Sequence, residues 1–128
     1  MINNQASMII QIANSNKKFD LEERTLKFGI EIINFAKTIE QTAITRPIIS
    51  QLIRSGTSIG ANYSEANECN SKKDFYHKIN LAKKEAKETV YWLSVLENIA
   101  NDKTRLRALK QKAHEFVLIF STILKKKV

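Results

Sequence analysis

Residues 47–64, PIISQLIRSGTSIGANYS, contain one charged residue, Arg54, in a chain in which 27% of the residues are charged. A segment of this composition is too apolar to be a solvated surface. Its apolar and small residues recur at steps of three and four, which predicts an α-helix with one buried stripe. The stripe consists of Ile48, Leu52, Gly56, Ile59, Tyr63 and Ala66.

The same helix carries a second stripe, small and nearly neutral, on its opposite side. Two glycines, Gly56 and Gly60, lie four residues apart in this helix, although each costs about 1 kcal/mol relative to alanine inside a helix. We therefore expect close packing on more than one side of this helix, and assembly of the chain with copies of itself. The second stripe is formed by Arg54, Ser58, Ala61 and Glu65.

The length and composition predict one domain of long helices. A chain of 128 residues can bury a core without disulfides or a structural metal, and its one proline and three glycines favour helices joined by short turns. Cys69 is the only cysteine, which excludes an intrachain disulfide and is typical of a reducing cytosol. Neither a signal-peptide pattern nor a bilayer-length apolar run occurs, so we expect a cytoplasmic protein without membrane contact.

The rest of the chain predicts three more helices and an N-terminal extension. Residues 1–18 are rich in Asn, Ser and Gln and show no sustained period, so we expect them to be flexible. Residues 19–128 then form one four-helix domain. Because the connections are short, consecutive helices run in opposite directions, which gives an all-α, antiparallel up-down-up-down four-helix bundle.

Capping and turn residues set the predicted helix bounds. The first helix begins with Asp20 as its N-cap and ends near Gln41. The second helix runs from Thr45, with Pro47 in its first turn, to about Asn67. The last two helices follow Ser71–Asp74, which resembles a capping box, and Asn101–Asp102.

The positive charge of the chain lies in its C-terminal half. Residues 1–70 carry seven Lys or Arg and seven Asp or Glu, whereas residues 71–128 carry fourteen and six. Such a field attracts the phosphates of RNA or DNA, although Lys-rich helix faces are also often simply solvated. The candidate phosphate contacts are Lys83, Lys87, Arg105, Lys112, Lys125, Lys126 and Lys127.

A second group of residues is the candidate subunit interface. Arg54 is alone on its side of the second helix and needs a counter-charge if it is covered. We hypothesise a planar pair between this arginine and a carboxylate of another subunit; the alternative is a pair within the subunit or on the surface, worth about 0–1 kcal/mol. The interface set is Arg54, Ser58, Ala61, Glu65, Glu85, Glu88 and Trp92.

Enzymatic and metal-binding alternatives find little support. A di-iron bundle needs two Glu-x-x-His motifs, and the nearest approach is Asp74-x-x-His77, while His114 has Gln111 at the matching position. Cys69 has no recognisable base and orienting group, and no phosphate-binding loop occurs. We therefore expect no catalytic residue, metal or cofactor.

Several motifs, in order, resemble one known family. The opening motif Leu21–Arg24 and Phe28 fit the first helix of that family. The later motifs are Gln51–Asn62, Glu65–Ala66, Ser71–Phe75, Lys84–Thr89 and Tyr91–Leu93. Over residues 19–124 the chain resembles the four helix bundle protein family, also known as the 23S rRNA intervening-sequence protein family.

This resemblance implies an antiparallel four-helix bundle assembled into a ring-like homopentamer. Relatives include open reading frames within rRNA intervening sequences. They also include the accessory protein of diversity-generating retroelements, which resembles a basic ring that associates with nucleic acid and a reverse transcriptase.

Two functions follow from these observations. The preferred one is a non-enzymatic, oligomeric accessory protein that binds nucleic acid, RNA rather than DNA. The alternative is an oligomeric scaffold that docks a protein partner, either an acidic one or a reverse transcriptase, on the basic face.

Overall fold

The structure, a computed structural model, describes residues 18–127. Within that range it contains four α-helices and no β-strand, which confirms the all-α, four-helix prediction. The helices are α1 (Lys18–Ala36), α2 (Thr45–Asn67), α3 (Lys72–Leu96) and α4 (Lys103–Leu124). The predicted extension over residues 1–18 lies outside the described residues, apart from Lys18, which is helical.

Side-chain caps explain where α3 and α4 begin. The hydroxyl of Ser71 accepts a hydrogen bond from the backbone N–H of Asp74 at 3.1 Å, so the predicted cap is confirmed. The carboxylate of Asp102 accepts in the same way from the N–H of Arg105 at 3.0 Å. The predicted N-cap at Asp20 is wrong, because this residue lies inside α1.

The end of α1 also differs from the prediction. The helix ends at Ala36 and not near Gln41. The next residues form tight turns, in which the N–H groups of Thr38 and Ile39 bond to carbonyls only three residues earlier. The apolar spacing continues through Ile39, which is buried although it lies beyond the helix, and this continuation made the helix look longer in the sequence.

The four helices pack in chain order, and α1 also contacts α4. For three helix pairs we compare two contacts each. In every pair, the contact whose residue comes later in the first helix has its partner residue earlier in the second helix. The pairs are Glu22–Asn67 and Ile32–Gly56 between α1 and α2, Arg54–Glu85 and Glu65–Lys78 between α2 and α3, and Arg24–Glu115 and Glu31–Lys112 between α1 and α4.

Aromatic and aliphatic side chains from all four helices fill the core. Phe28 of α1 meets Phe116 of α4 edge to face, with ring centroids 5.4 Å apart. Tyr63 of α2 lies against Phe120, and both side chains are buried. The predicted stripe of α2 therefore faces the core, with only Ile48 half-buried.

The two glycines of α2 allow a close approach by α1. Gly56 faces Ile32, and Gly60 faces Thr25, so both contacts lie within one chain. The close packing at both glycines is thus made by α1, and the predicted packing of this helix against another copy of the chain stays a prediction. Among the described residues, no helix combines the length and apolar character that a bilayer crossing requires.

Candidate nucleic-acid interface

Two lysines of α3 lie on the side of that helix that adjoins α4. Lys83 and Lys87 are one turn apart, and the same side continues through Val90 to Glu97 at helical spacing. Val90 is half-buried and packs against the core. Lys87 is exposed and Lys83 is half-buried, as expected for long basic side chains beside a seam between two helices.

The matching side of α4 carries three more basic residues at steps of four and three, Lys103, Arg107 and Lys110. The Lys103 ammonium donates to the backbone carbonyl of Glu97 at 3.1 Å. The Arg107 guanidinium lies 3.8 Å from the carboxylate of the same residue. These contacts bring the two basic sides together.

We call this surface the α3–α4 basic face, and define it by Lys83, Lys87, Lys103, Arg107 and Lys110. Against five basic side chains, the only carboxylate on these two helix sides is that of Glu97. The positive field over this seam is therefore largely uncompensated and suits a chain of phosphates.

The predicted phosphate contacts divide between two sides of the molecule. Lys83 and Lys87 are on the α3–α4 basic face. Lys112 is turned towards α1, where its ammonium bonds to the Glu31 carboxylate at 2.9 Å. Arg105 is seven residues earlier, two turns along the same side of α4. The structure therefore does not bring Arg105 and Lys112 together with the two lysines of α3.

The remaining basic groups are the C-terminal lysine tail and three residues of α4 that the sequence prediction did not include. Residues 125–127, all lysine, are exposed just beyond the end of α4. Lys103, Arg107 and Lys110 were not among the predicted contacts. Their four-then-three spacing was a usable signal, but it could not show that this side of α4 adjoins Lys83 and Lys87.

The predicted interface residues include an ion-pair cluster that is complete within one chain. The Arg54 guanidinium contacts the Glu85 carboxylate at 3.1 Å and also bonds to Glu88. The indole N–H of Trp92 donates to Glu88 at 3.1 Å, and Gln51 accepts from the Arg54 Nε at 3.1 Å. The pair is thus formed inside the subunit, which is the alternative that the sequence left open.

The carboxylates of this cluster favour the charged form of the Arg54 guanidinium. Burial alone lowers the pKa of the Arg54 guanidinium, but its hydrogen bonds to Glu88 and Glu85 and their negative charges raise it more. Its pKa therefore lies above the ordinary arginine value. One cation with two carboxylates leaves the cluster with an excess negative charge.

The other interface residues lie on two different surfaces. Glu65 pairs with Lys78 of α3 at 2.9 Å, and the hydroxyl of Ser58 bonds to the backbone carbonyl of Arg54. Ala61 is exposed beside α1 instead. The assignment of the whole set to a subunit interface stays a prediction.

A groove of about 690 Å³ runs between α1 and α2. Leu26, Ile30 and Ile33 form one wall, and these side chains are 65%, 50% and 36% exposed. We call it the α1–α2 groove, and its main lining residues are Leu26, Ile30, Ile33, Thr57, Gly60 and Ala61. Of these, the sequence prediction included only Ala61 as an interface residue.

The residues weighed for catalysis or metal binding are not gathered into a site. Cys69 is half-buried, and its thiol donates to the carbonyl of Glu65 at 3.3 Å. Over residues 18–127, no group of three His, Cys, Asp or Glu side chains could hold a metal ion together.

The fold and its two surfaces define a class of protein: an all-α, four-helix chain with an apolar groove between two helices and a basic face on the other two. The family model described as 23S rRNA-intervening sequence protein matches residues 17–122, and the chain belongs to that family. The resemblance carried by the sequence motifs is thereby confirmed.

A solved structure supports the same assignment. It is the crystal structure of a protein of unknown function from the S23 ribosomal protein family of Bacteroides thetaiotaomicron VPI-5482, which is 32% identical to this chain with a TM-score of 0.69. The match covers 82% of this chain and 98% of that one. Among curated proteins, no sequence matches this chain.

Proposed function

We propose that this protein is a non-enzymatic, homo-oligomeric accessory protein that binds nucleic acid through its α3–α4 basic face. The observation that carries the proposal is the convergence of five basic side chains from two helices, with Glu97 as the only carboxylate on those helix sides. The proposal assigns no catalytic group, metal or cofactor, and it places the protein in the cytoplasm.

The architecture belongs to the same proposal. The reversed order of contacts in three helix pairs supports an antiparallel up-down-up-down bundle. The family resemblance favours a ring-like homopentamer. A ring would repeat the basic face once per subunit, so a long nucleic acid could contact several copies and gain avidity without any new contact.

Structured RNA is the nucleic acid that we favour. The family is named after a sequence that intervenes in 23S rRNA, and 23S rRNA is a structured RNA. Lysine and arginine on helix surfaces contact phosphates, and phosphate contacts carry no base sequence. We therefore expect weak sequence preference and a strong dependence on salt.

The test is direct binding of naked nucleic acid to the full chain. Fluorescence anisotropy of a labelled RNA hairpin and a labelled DNA duplex should show saturable binding, with the RNA bound more tightly. If neither binds even at low ionic strength, the proposal fails. The same basic face would then be a dock for an acidic protein partner, the second function that the charge pattern allows.

A further inference from the structure

Tyr91 is an exposed aromatic side chain of α3 at the edge of the α3–α4 basic face. Its exposed fraction is 59%, whereas that of Tyr63 in the core is 4%. Tyr91 follows Lys87 by one helical turn and Lys84 by two, and both lysines are exposed. An aromatic ring in water beside basic side chains is an arrangement with which proteins hold single-stranded nucleic acid.

Neighbouring side chains hold the ring of Tyr91 in a defined position. It packs nearly at right angles to the indole ring of Trp92, with ring centroids 4.9 Å apart. The indole N–H donates to the Glu88 carboxylate at 3.1 Å, and that carboxylate also bonds to the Arg54 guanidinium of α2. Because these contacts fix the ring before a ligand arrives, binding costs Tyr91 little conformational freedom.

The other exposed large apolar side chains lack this combination. Single exposed apolar residues are normal in soluble proteins, so exposure alone would not distinguish Tyr91. The distinguishing features are its aromatic face, its support by Trp92 and the two lysines beside it. The other exposed side chains of this size, among the described residues, are all aliphatic: Leu26, Ile30, Ile33, Ile44, Ile99 and Leu118.

Charge on the two sides of Tyr91 orients a nucleotide that binds there. Lys87 lies on the α4 side of the ring, and Glu88, which bonds to Arg54, lies on the α2 side. The ion-pair cluster around Arg54 has an excess negative charge and repels a phosphate, whereas Lys87 attracts one. Since residues four apart on a helix have Cβ atoms about 5–6 Å apart, one nucleotide can reach both Lys87 and Tyr91.

An aromatic side chain can stack only on a base with a free face. Inside a continuous duplex, neighbouring base pairs cover both faces of every base. Bases in loops and bulges are unstacked and can lie on aromatic side chains. Such stacking tolerates any sequence, because every base has a π-face. The ligand that fits Tyr91 is therefore an unpaired nucleotide of any sequence.

We propose that Tyr91 stacks on an unpaired base of the bound RNA while Lys87 contacts a phosphate next to that base. This inference rests on the proposed function and narrows its ligand from structured RNA in general to RNA with an unpaired loop or bulge. The basic side chains supply affinity for any phosphate chain, and Tyr91 supplies the preference for unpaired nucleotides.

The test compares two labelled RNA hairpins that have the same stem and the same number of phosphates. One hairpin has a loop of adenosines, and in the other the loop sugars carry no base. In anisotropy titrations, the full wild-type chain should bind the adenosine loop at least about fivefold more tightly, which is the lower end of the range for stacking one base on an aromatic side chain. Tyr91→Ala should lose this preference, and Tyr91→Phe, which keeps the ring, should retain it. Leu118→Ala, at an exposed apolar position of α4, is the matched control and should also retain it.

The dependence on salt separates stacking from phosphate contacts. Tyr91→Ala should leave the slope of log affinity against log salt concentration unchanged, because the ring neutralises no phosphate. If this variant loses its helical circular dichroism spectrum, Tyr91→Leu replaces it, since leucine keeps an apolar side chain beside Trp92 but has no aromatic face.

Three outcomes overturn the inference and leave the proposed function standing. They are equal binding of both hairpins by the wild type, a folded Tyr91→Ala or Tyr91→Leu variant that keeps the preference, and a Tyr91→Phe variant that loses it. If neither hairpin binds the wild type at low salt, the proposed function is disproved, and the role of Tyr91 with it.

Discussion

The side chain of Ile32 on α1 fills the space beside Gly56 on α2 that a Cβ atom would otherwise occupy. A Cβ built on this glycine would come within 2.9 Å of both Ile32 Cγ atoms, which is closer than real contacts allow. Gly60 is in a similar position, with Thr25 atoms at 3.1–3.3 Å. The close approach of the two helices therefore depends on both glycines.

This relationship predicts opposite effects for two glycine-to-alanine substitutions. Gly56→Ala should destabilise the fold by about 1–3 kcal/mol, because Ile32 must move out of a packed core. Gly29→Ala should instead be neutral or stabilise by up to about 1 kcal/mol, because its nearest neighbours are at 3.5 Å and alanine favours the helix. Urea unfolding of the two variants measures the difference, and equal midpoints would contradict this account.

A second prediction concerns the ion-pair cluster. Arg54→Ala should destabilise the chain by about 1 kcal/mol, because Glu85 and Glu88 lose their shared counter-charge. Lys78→Ala, which removes the more exposed pair with Glu65, should cost less. Urea unfolding at low salt compares them.

The same Arg54→Ala variant tests whether the pair sets the register of an oligomer. Because the guanidinium is paired within its own chain, we expect an unchanged oligomer mass in native mass spectrometry. A drop in mass would show that Arg54 also reaches another subunit.

A third prediction follows from the buried phenol of Tyr63. Burial raises its pKa above the ordinary value of 10.0; a hydrogen bond from Asn67 opposes the shift and the charge of Glu22 adds to it. In the unfolded chain the phenol ionises near pH 10, whereas in the folded chain it resists ionisation. Stability is therefore complete below about pH 10 and falls as the pH rises further.

The variant Tyr63→Phe isolates this effect, because it keeps the ring against Phe120 and removes the ionisable group. Thermal unfolding from neutral pH to above pH 10 should show a shallower alkaline loss of stability for the variant than for the wild type. Lysine titration is common to both proteins and cancels in the comparison. Parallel curves would mean that the phenol ionises as readily in the folded state as in the unfolded one.

A fourth prediction separates the basic groups by their surroundings. The triple substitution K83Q/K87Q/K110Q should weaken RNA binding and lower the salt slope by about one for each lysine that contacts a phosphate. Lys112→Gln is the matched control, because its ammonium is already bonded to Glu31 and should contribute little. Anisotropy titrations of the same RNA hairpin compare the two variants, and an equal loss in both would argue against the α3–α4 basic face.

The sequence predicted the number and type of the helices because periodicity, caps and the turn before Pro47 are local signals. It found most of the core by the same means. It did not find the α1–α2 groove, because Leu26, Ile30 and Ile33 recur at the same helical spacing as Phe28, Ile32 and Phe35, and both sets are apolar. The positions of α2 and α4 decide which stripe is buried.

For the candidate site too, the sequence could not show which side of a helix adjoins another helix. Spacing along α3 correctly placed Lys83 and Lys87 together, but spacing along α4 could not reveal which of its sides adjoins α3. Lys110 and Lys112 are two residues apart and equally basic, yet one joins the basic face and the other pairs with Glu31. Such assignments depend on tertiary contacts between residues far apart in the chain.

The most direct test of the proposed function is the salt dependence of RNA binding by the wild-type protein. Anisotropy of a labelled RNA hairpin should be titrated at ionic strengths from about 50 to about 200 mM, where several phosphate contacts change affinity by orders of magnitude. We predict saturable binding and a steep linear fall of log affinity with log salt concentration. No binding at the lowest salt, or an affinity that does not change with salt, would contradict the assignment of the α3–α4 basic face to nucleic acid.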